Sequence, residues 1–154
     1  MTEVLSELAR LRARRVLDLV DPAVVVAWAE DRGAEGVDLS VLASLAGLPD
    51  LRAEDVDAGL AELAEALGLE PLTKEVAGVA LAQEAALKVA TGELTPIAAA
   101  EHIWRLALIA PSAEPRLRVF IALASEWQDD PVHRDLHEED IRTEAIELGR
   151  RRLL

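Results

Sequence analysis

Apolar residues recur along this chain at helical spacing, and no segment sustains the period-2 alternation of a half-buried strand. Between residues 53 and 67, Val56, Leu60, Leu63 and Leu67 fall at i, i+4, i+7 and i+11, the stripe of a surface helix. Asp57, Glu62 and Glu65 lie mostly off that stripe. Residues 96–110, PIAAAEHIWRLALIA, are apolar almost all round, with Glu101, His102 and Arg105 as a narrow polar edge. That is the pattern of a helix buried at the centre of a bundle. Trp104 is expected in the core there, sharing a face with Ile97, Ala100, Ala107 and Leu108. In residues 114–127, Leu117, Phe120, Ile121 and Ala124 form one face; in residues 131–152, Ile141, Ala145 and Leu148 do so. The run Val24 to Val26 is the one strand-like stretch, and the Asp21-Pro22 pair before it argues for helix.

Punctuation agrees with periodicity. Asp21-Pro22, Thr95-Pro96 and Asp130-Pro131 each place an N-cap oxygen before a proline at the first helical position, where its missing N–H costs nothing. Stop signals follow at Gly33, Gly47, Gly68 and Gly92. The spacing predicts eight helices, about 3–19, 22–32, 39–47, 53–67, 73–91, 96–110, 114–127 and 131–152. The expected fold class is all-α, a single compact multi-helix bundle. A chain of 154 residues suits one domain, 1–154, because short helices need partners for their apolar faces. A weak sub-boundary lies near residues 68–72.

Composition narrows the function classes. There is no Cys, which excludes disulfides, thiolate metal sites and cysteine catalysis. The longest strongly apolar run, Ala23 to Ala29, is far shorter than the roughly 20 residues that span a bilayer. The N-terminus, MTEVLSELARLRARR, lacks a secretory apolar core. No membrane association is expected, and the cytoplasm is the default compartment. Aromatics are confined to Trp28, Trp104, Trp127 and Phe120, and the net charge is −13. Stacked-base recognition needs exposed aromatics and a basic groove, so no nucleic acid is expected. Asn is absent and 14 of the 16 basic residues are Arg, a bias that points to a GC-rich bacterial genome.

The charge is unevenly spread. Residues 21–70 carry two basic and twelve acidic side chains, net −10; residues 125–148 carry two and nine, net −7. Residues 71–124 balance at five each. Acidity of this kind serves solubility, and it also steers a basic partner. Within the first block Asp50, Glu54, Asp55 and Asp57 cluster around a helix start. They are the expected partner-binding residues, facing outward off the Val56–Leu60 stripe. The first helix is basic on one side through Arg10, Arg14 and their neighbours, and intramolecular pairing with the acidic blocks is its expected role.

Residues 126–140, EWQDDPVHRDLHEED, hold seven carboxylates and two histidines. At about 100° per residue, His133, His137, Asp140 and Glu144 fall on a strip about 60° wide beside the Ile141 stripe. Imidazoles and carboxylates so placed suit Zn, Fe or Ni, which gives an alternative reading as a metal-dependent enzyme or sensor. The pattern lacks the general-base Glu of HExxH, since Arg134 follows His133. No histidine has a Glu three residues before it, as di-iron bundles require. The charge distribution instead suits helix stability: Asp129 and Asp130 at the positive end of the dipole, Arg150, Arg151 and Arg152 at the negative end. No metal and no cofactor are expected.

Other motifs dissolve on inspection. HRDL at 133–136 lacks the companion motifs of a kinase. Ser6, Ser40, Ser44, Ser112 and Ser125 lie in no G-x-S-x-G elbow, and Ser112 reads as a helix cap near Pro111. Gly33 and Gly36 are not followed by Lys-Ser/Thr, so there is no phosphate loop. Glu101 and His102 stand out only as polar groups on an apolar helix. No catalytic constellation is left, which points away from an enzyme.

GELTPIAAAEHIWRL followed by RVFIALASEWQDDPVHR resembles a pattern in small uncharacterised helical proteins of GC-rich bacteria, over residues 91–150. More loosely, a short acidic helical chain looks like bacterial immunity proteins, which neutralise toxins by binding them. That likeness of class implies a protein partner with a basic surface and carries over no binding residue. The expected function is therefore a non-enzymatic acidic binding protein, immunity- or antitoxin-like in its most concrete form.

Overall fold

The computed structural model describes residues 2–36 and 40–151. They form eight α-helices: α1 Thr2–Val16, α2 Pro22–Ala34, α3 Ser40–Ala46, α4 Ala53–Ala66, α5 Lys74–Ala90, α6 Pro96–Ile109, α7 Glu114–Asp129 and α8 Arg134–Arg150. Two 3-10 turns, Pro111–Ala113 and Pro131–His133, precede α7 and α8. No strand occurs among the described residues, and the class is all-α. Leu39, where the third helix was expected to begin, and Arg152 lie outside the described residues.

Two of the three Asp/Thr-Pro signals act as helix caps. Asp21 Oδ1 accepts the Ala23 N–H at 2.8 Å, and Thr95 Oγ1 accepts the Ala98 N–H at 3.3 Å. Asp130 does not: Pro131 opens a 3-10 turn, and no backbone N–H reaches the carboxylate. Ser112 is not a cap either, because it sits inside the turn before α7 and Ala113 holds the cap position. Helix ends show one departure from the glycine signals. α2 runs through Gly33, and Gly36 takes the left-handed conformation instead. The end of α1 uses a non-glycine residue, Asp18, at φ 55°. Its N–H bonds the Arg15 carbonyl and the Leu19 N–H bonds the Arg14 carbonyl. This is the same double bond that Gly68 and Leu69 make at the end of α4.

The chain divides into two compact units, Met1–Thr73 and Lys74–Leu154, just after the Gly68–Leu72 stretch. In the first unit Leu8 of α1, Val25 and Ala29 of α2, Leu42 and Leu45 of α3, and Val56, Leu60 and Leu63 of α4 form one core. Three of the four residues of the α4 stripe are thus buried, and Leu67 packs half-buried against the same core. Gly59 lets α3 lie close, since a Cβ there would stand 2.7 Å from Leu45 Cδ1.

In the second unit α5, α6, α7 and α8 pack each against the next, α8 closes back on α5, and α6 also reaches α8. Phe120, Leu117, Ile103, Leu106 and Ile141 are its largest fully buried side chains. Ile141, Ala145 and Leu148 form the buried stripe of α8 as its periodicity implies. The expected faces of α6 and α7 need correction. Ile103, with Ala99, Ala100 and Ala107, points inward; Trp104 is only half-buried and Leu108 is 69% exposed. Ile121 is likewise half-buried rather than inward. A helix apolar on nearly every side leaves its rotation to its neighbours. The C-terminal end of α8 is capped from another helix: the Gln83 side-chain amide of α5 donates to the Leu148 and Arg151 carbonyls.

Candidate functional site

Two places concentrate the residues that the sequence singles out. The first is the corner between α7 and α8. Asp130, freed from capping, sits between the two histidines. His133 Nδ1 lies 2.9 Å from its Oδ2, and His137 Nε2 lies 3.1 Å from the same oxygen. With the carboxylate ionised, each imidazole donates an N–H to it. These bonds, that of His137 foremost, hold the Asp130 carboxyl below its ordinary value. The second nitrogen of His137, Nδ1, is buried without a hydrogen bond, with Glu126 Oε2 3.8 Å away. Beside this clamp Arg134 lies over the Trp127 ring, 4.1 Å from its centroid, and its Nε donates to the Trp127 carbonyl at 3.3 Å. The Trp127 indole N–H donates to Glu138 at 3.3 Å.

This geometry changes the metal reading. The alternative reading placed a metal on His133, His137, Asp140 and Glu144. His133 belongs to the 3-10 turn rather than to α8, so it leaves the α-helical register that aligned it with Asp140. Both imidazoles turn to Asp130 instead. No group of three or more His, Asp or Glu side chains among the described residues is arranged to hold a metal ion. What the corner does chemically is to fasten α8 to α7 through polar contacts.

The clamp has a pH signature. Asp130 is more acidic folded than unfolded, so its contribution to stability is present above the ordinary carboxylate range near 3.9 and is lost as the pH falls through the lowered folded value. Asp130→Asn is expected to melt at a lower temperature than the native chain at neutral pH. That deficit should close as the pH drops below about 4. A deficit that persists unchanged in acid, followed by circular dichroism, would mean that the carboxylate charge is not what the histidines hold.

The second place is the start of α4. Glu54 and Asp55 are exposed in its first turn and take part in no ion pair among the described residues. Asp50 is also exposed, with Arg52 3.9 Å away. Asp57 differs from the other three. Arg15 Nε donates to its Oδ1 at 2.8 Å and Nη2 to its Oδ2 at 3.1 Å, a bidentate pair. The Arg15 side chain is 5% exposed. It also donates to Asp18 at 3.2 Å and to the Val20 carbonyl at 2.6 Å. The pairing with Asp57 holds the Arg15 guanidinium above its ordinary value. Asp57 therefore joins α4 to the end of α1, while Asp50, Glu54 and Asp55 make no such contact with another helix among the described residues.

The first helix meets the acidic block through Arg15 on Asp57, and Arg12 Nη2 donates to the main-chain carbonyl of Glu70 at 2.7 Å. Arg15 was not among the residues singled out. The local sign of it is its place at i+4 from Leu11 and i+7 from Leu8, on the buried stripe of α1. Glu101 and His102 are half-buried on α6.

No helix of the described residues is long and apolar enough to cross a membrane. The fold and these two sites define an all-helical chain with an acidic surface and a polar-clamped helical corner. Comparison with protein-family models, with curated proteins and with solved structures finds no match to it.

Proposed function

We propose that this chain is a non-enzymatic binding protein that docks a basic protein partner through the acidic surface at the start of α4. An immunity- or antitoxin-like role in a bacterial cytoplasm is the most concrete form of that reading. One observation carries it: Glu54 and Asp55 stand exposed and unneutralised beside Asp50, within a segment of net charge −10. Unpaired surface carboxylates of one sign raise the encounter rate with a cationic partner. The metal-dependent alternative at His133 and His137 has no comparable support, because no group of three or more His, Asp or Glu side chains among the described residues is placed to hold a metal ion.

The test is capture of the partner from the native host, then surface plasmon resonance at two salt concentrations. Raising salt from about 0.05 to about 0.5 M shortens the Debye length from about 14 to about 4 Å. The association rate is expected to fall much more than the dissociation rate rises. Glu54→Lys with Asp55→Lys should slow association further. Asp57 is left native in this variant, since its loss would disturb the fold. A tight partner indifferent to salt and to the double reversal would show the acidity to be a solubility feature.

A further inference from the structure

We propose that the start of α8 is a preformed docking face for a basic amphipathic helix of a partner protein. The face lies in the second unit and does not depend on the acidic patch at the start of α4. Residues 131–136 are all exposed, and the first buried residue of α8 is Ile141. Two of the most exposed large apolar side chains in the described residues stand here, Val132 at 85% and Leu136 at 63%. On the helix Leu136 points roughly opposite to Ile141 and Ala145, so the fold of its own unit has no use for it.

Two turns without a buried residue would ordinarily fray. Here they are held by contacts to the end of α7: Asp130 to His133 and His137, Arg134 over and onto Trp127, and Trp127 to Glu138. An apolar pair is thereby held out in water in one arrangement, which removes part of the ordering cost of binding. The surrounding charge is predominantly acidic. Asp129, Asp135 and Asp140 are exposed and take part in no ion pair among the described residues. The two cations of the segment are engaged, Arg134 on Trp127 and Arg142 with Glu139 at 3.6 Å. An acid-rimmed pair of exposed apolar side chains, Val132 in the 3-10 turn and Leu136 on α8, complements a helix with an apolar stripe and flanking lysines or arginines. The same charge repels a second copy of this chain and an anionic lipid surface.

The probe is a fluorescein-labelled Leu/Lys peptide about five helical turns long with its leucines on one face. Its comparator has the same composition with the leucines dispersed. Fluorescence anisotropy is expected to show the ordered peptide binding at least about tenfold more tightly. Val132→Ser with Leu136→Ser should weaken it by about tenfold or more. Both positions are exposed, so the helical spectrum of that variant should not change. Glu54→Lys with Asp55→Lys should leave this binding intact. Equal binding of the two peptides, indifference to the serine variant, or a loss confined to the Glu54/Asp55 variant would each overturn the inference, and the last would leave the α4 patch standing. Sedimentation showing a dimer that Leu136→Ser dissolves would also overturn it, because a second copy would then cover the face.

Discussion

Ile103→Ala is expected to destabilise the protein by about 2–5 kcal/mol, whereas Leu108→Ala should change stability by no more than about 0.5 kcal/mol. Ile103 is fully buried between α6 and its neighbours, and Leu108 is 69% exposed on the same helix. Truncating Ile103 removes apolar surface that water never touches and leaves a cavity that the surrounding side chains close only in part. Truncating Leu108 removes surface that is already wet. Urea unfolding followed by circular dichroism measures both. A larger loss for Leu108 than for Ile103 would mean that α6 is rotated relative to the structure described.

Asp57→Lys is expected to destabilise the protein by about 2 kcal/mol or more, while Glu54→Lys in the turn before it should be nearly neutral. The carboxylate of Asp57 is 46% exposed, which moderates its interaction with Arg15. Arg15 itself is buried and retains only Asp18 and the Val20 carbonyl when Asp57 is gone. A lysine there also sets a second cation against a guanidinium that water cannot solvate. The same urea experiment distinguishes the two positions. Equal effects would show that Asp57 is one more surface acid, and would return it to the partner-binding set.

These two contrasts mark where sequence reading stops. Periodicity located α4 and the inner stripe of α8, because each carries apolar residues on one side only and can bury just that side. It could not orient α6, where Ile103, Trp104 and Leu108 are all apolar and the neighbours α5, α7 and α8 choose among them. The Asp-Pro pair at Asp21 gave a cap, and the identical pair at Asp130 gave a clamp. The difference is the two histidines that follow Asp130 at three and seven residues, whose N–H groups compete with the backbone for its oxygens.

From its sequence alone this protein was bound to be helical, acidic and without cysteine chemistry, since propensity, capping residues and charge are local properties. Tertiary structure decided which acids are available. Glu54 and Asp57 look alike along the chain, yet one meets water and the other meets Arg15, 42 residues away. It also decided what the histidines hold, because a 3-10 turn instead of an α-helical one moved His133 off the strip with Asp140 and onto Asp130. Partnership over such distances depends on how helices pack, and no local pattern encodes it.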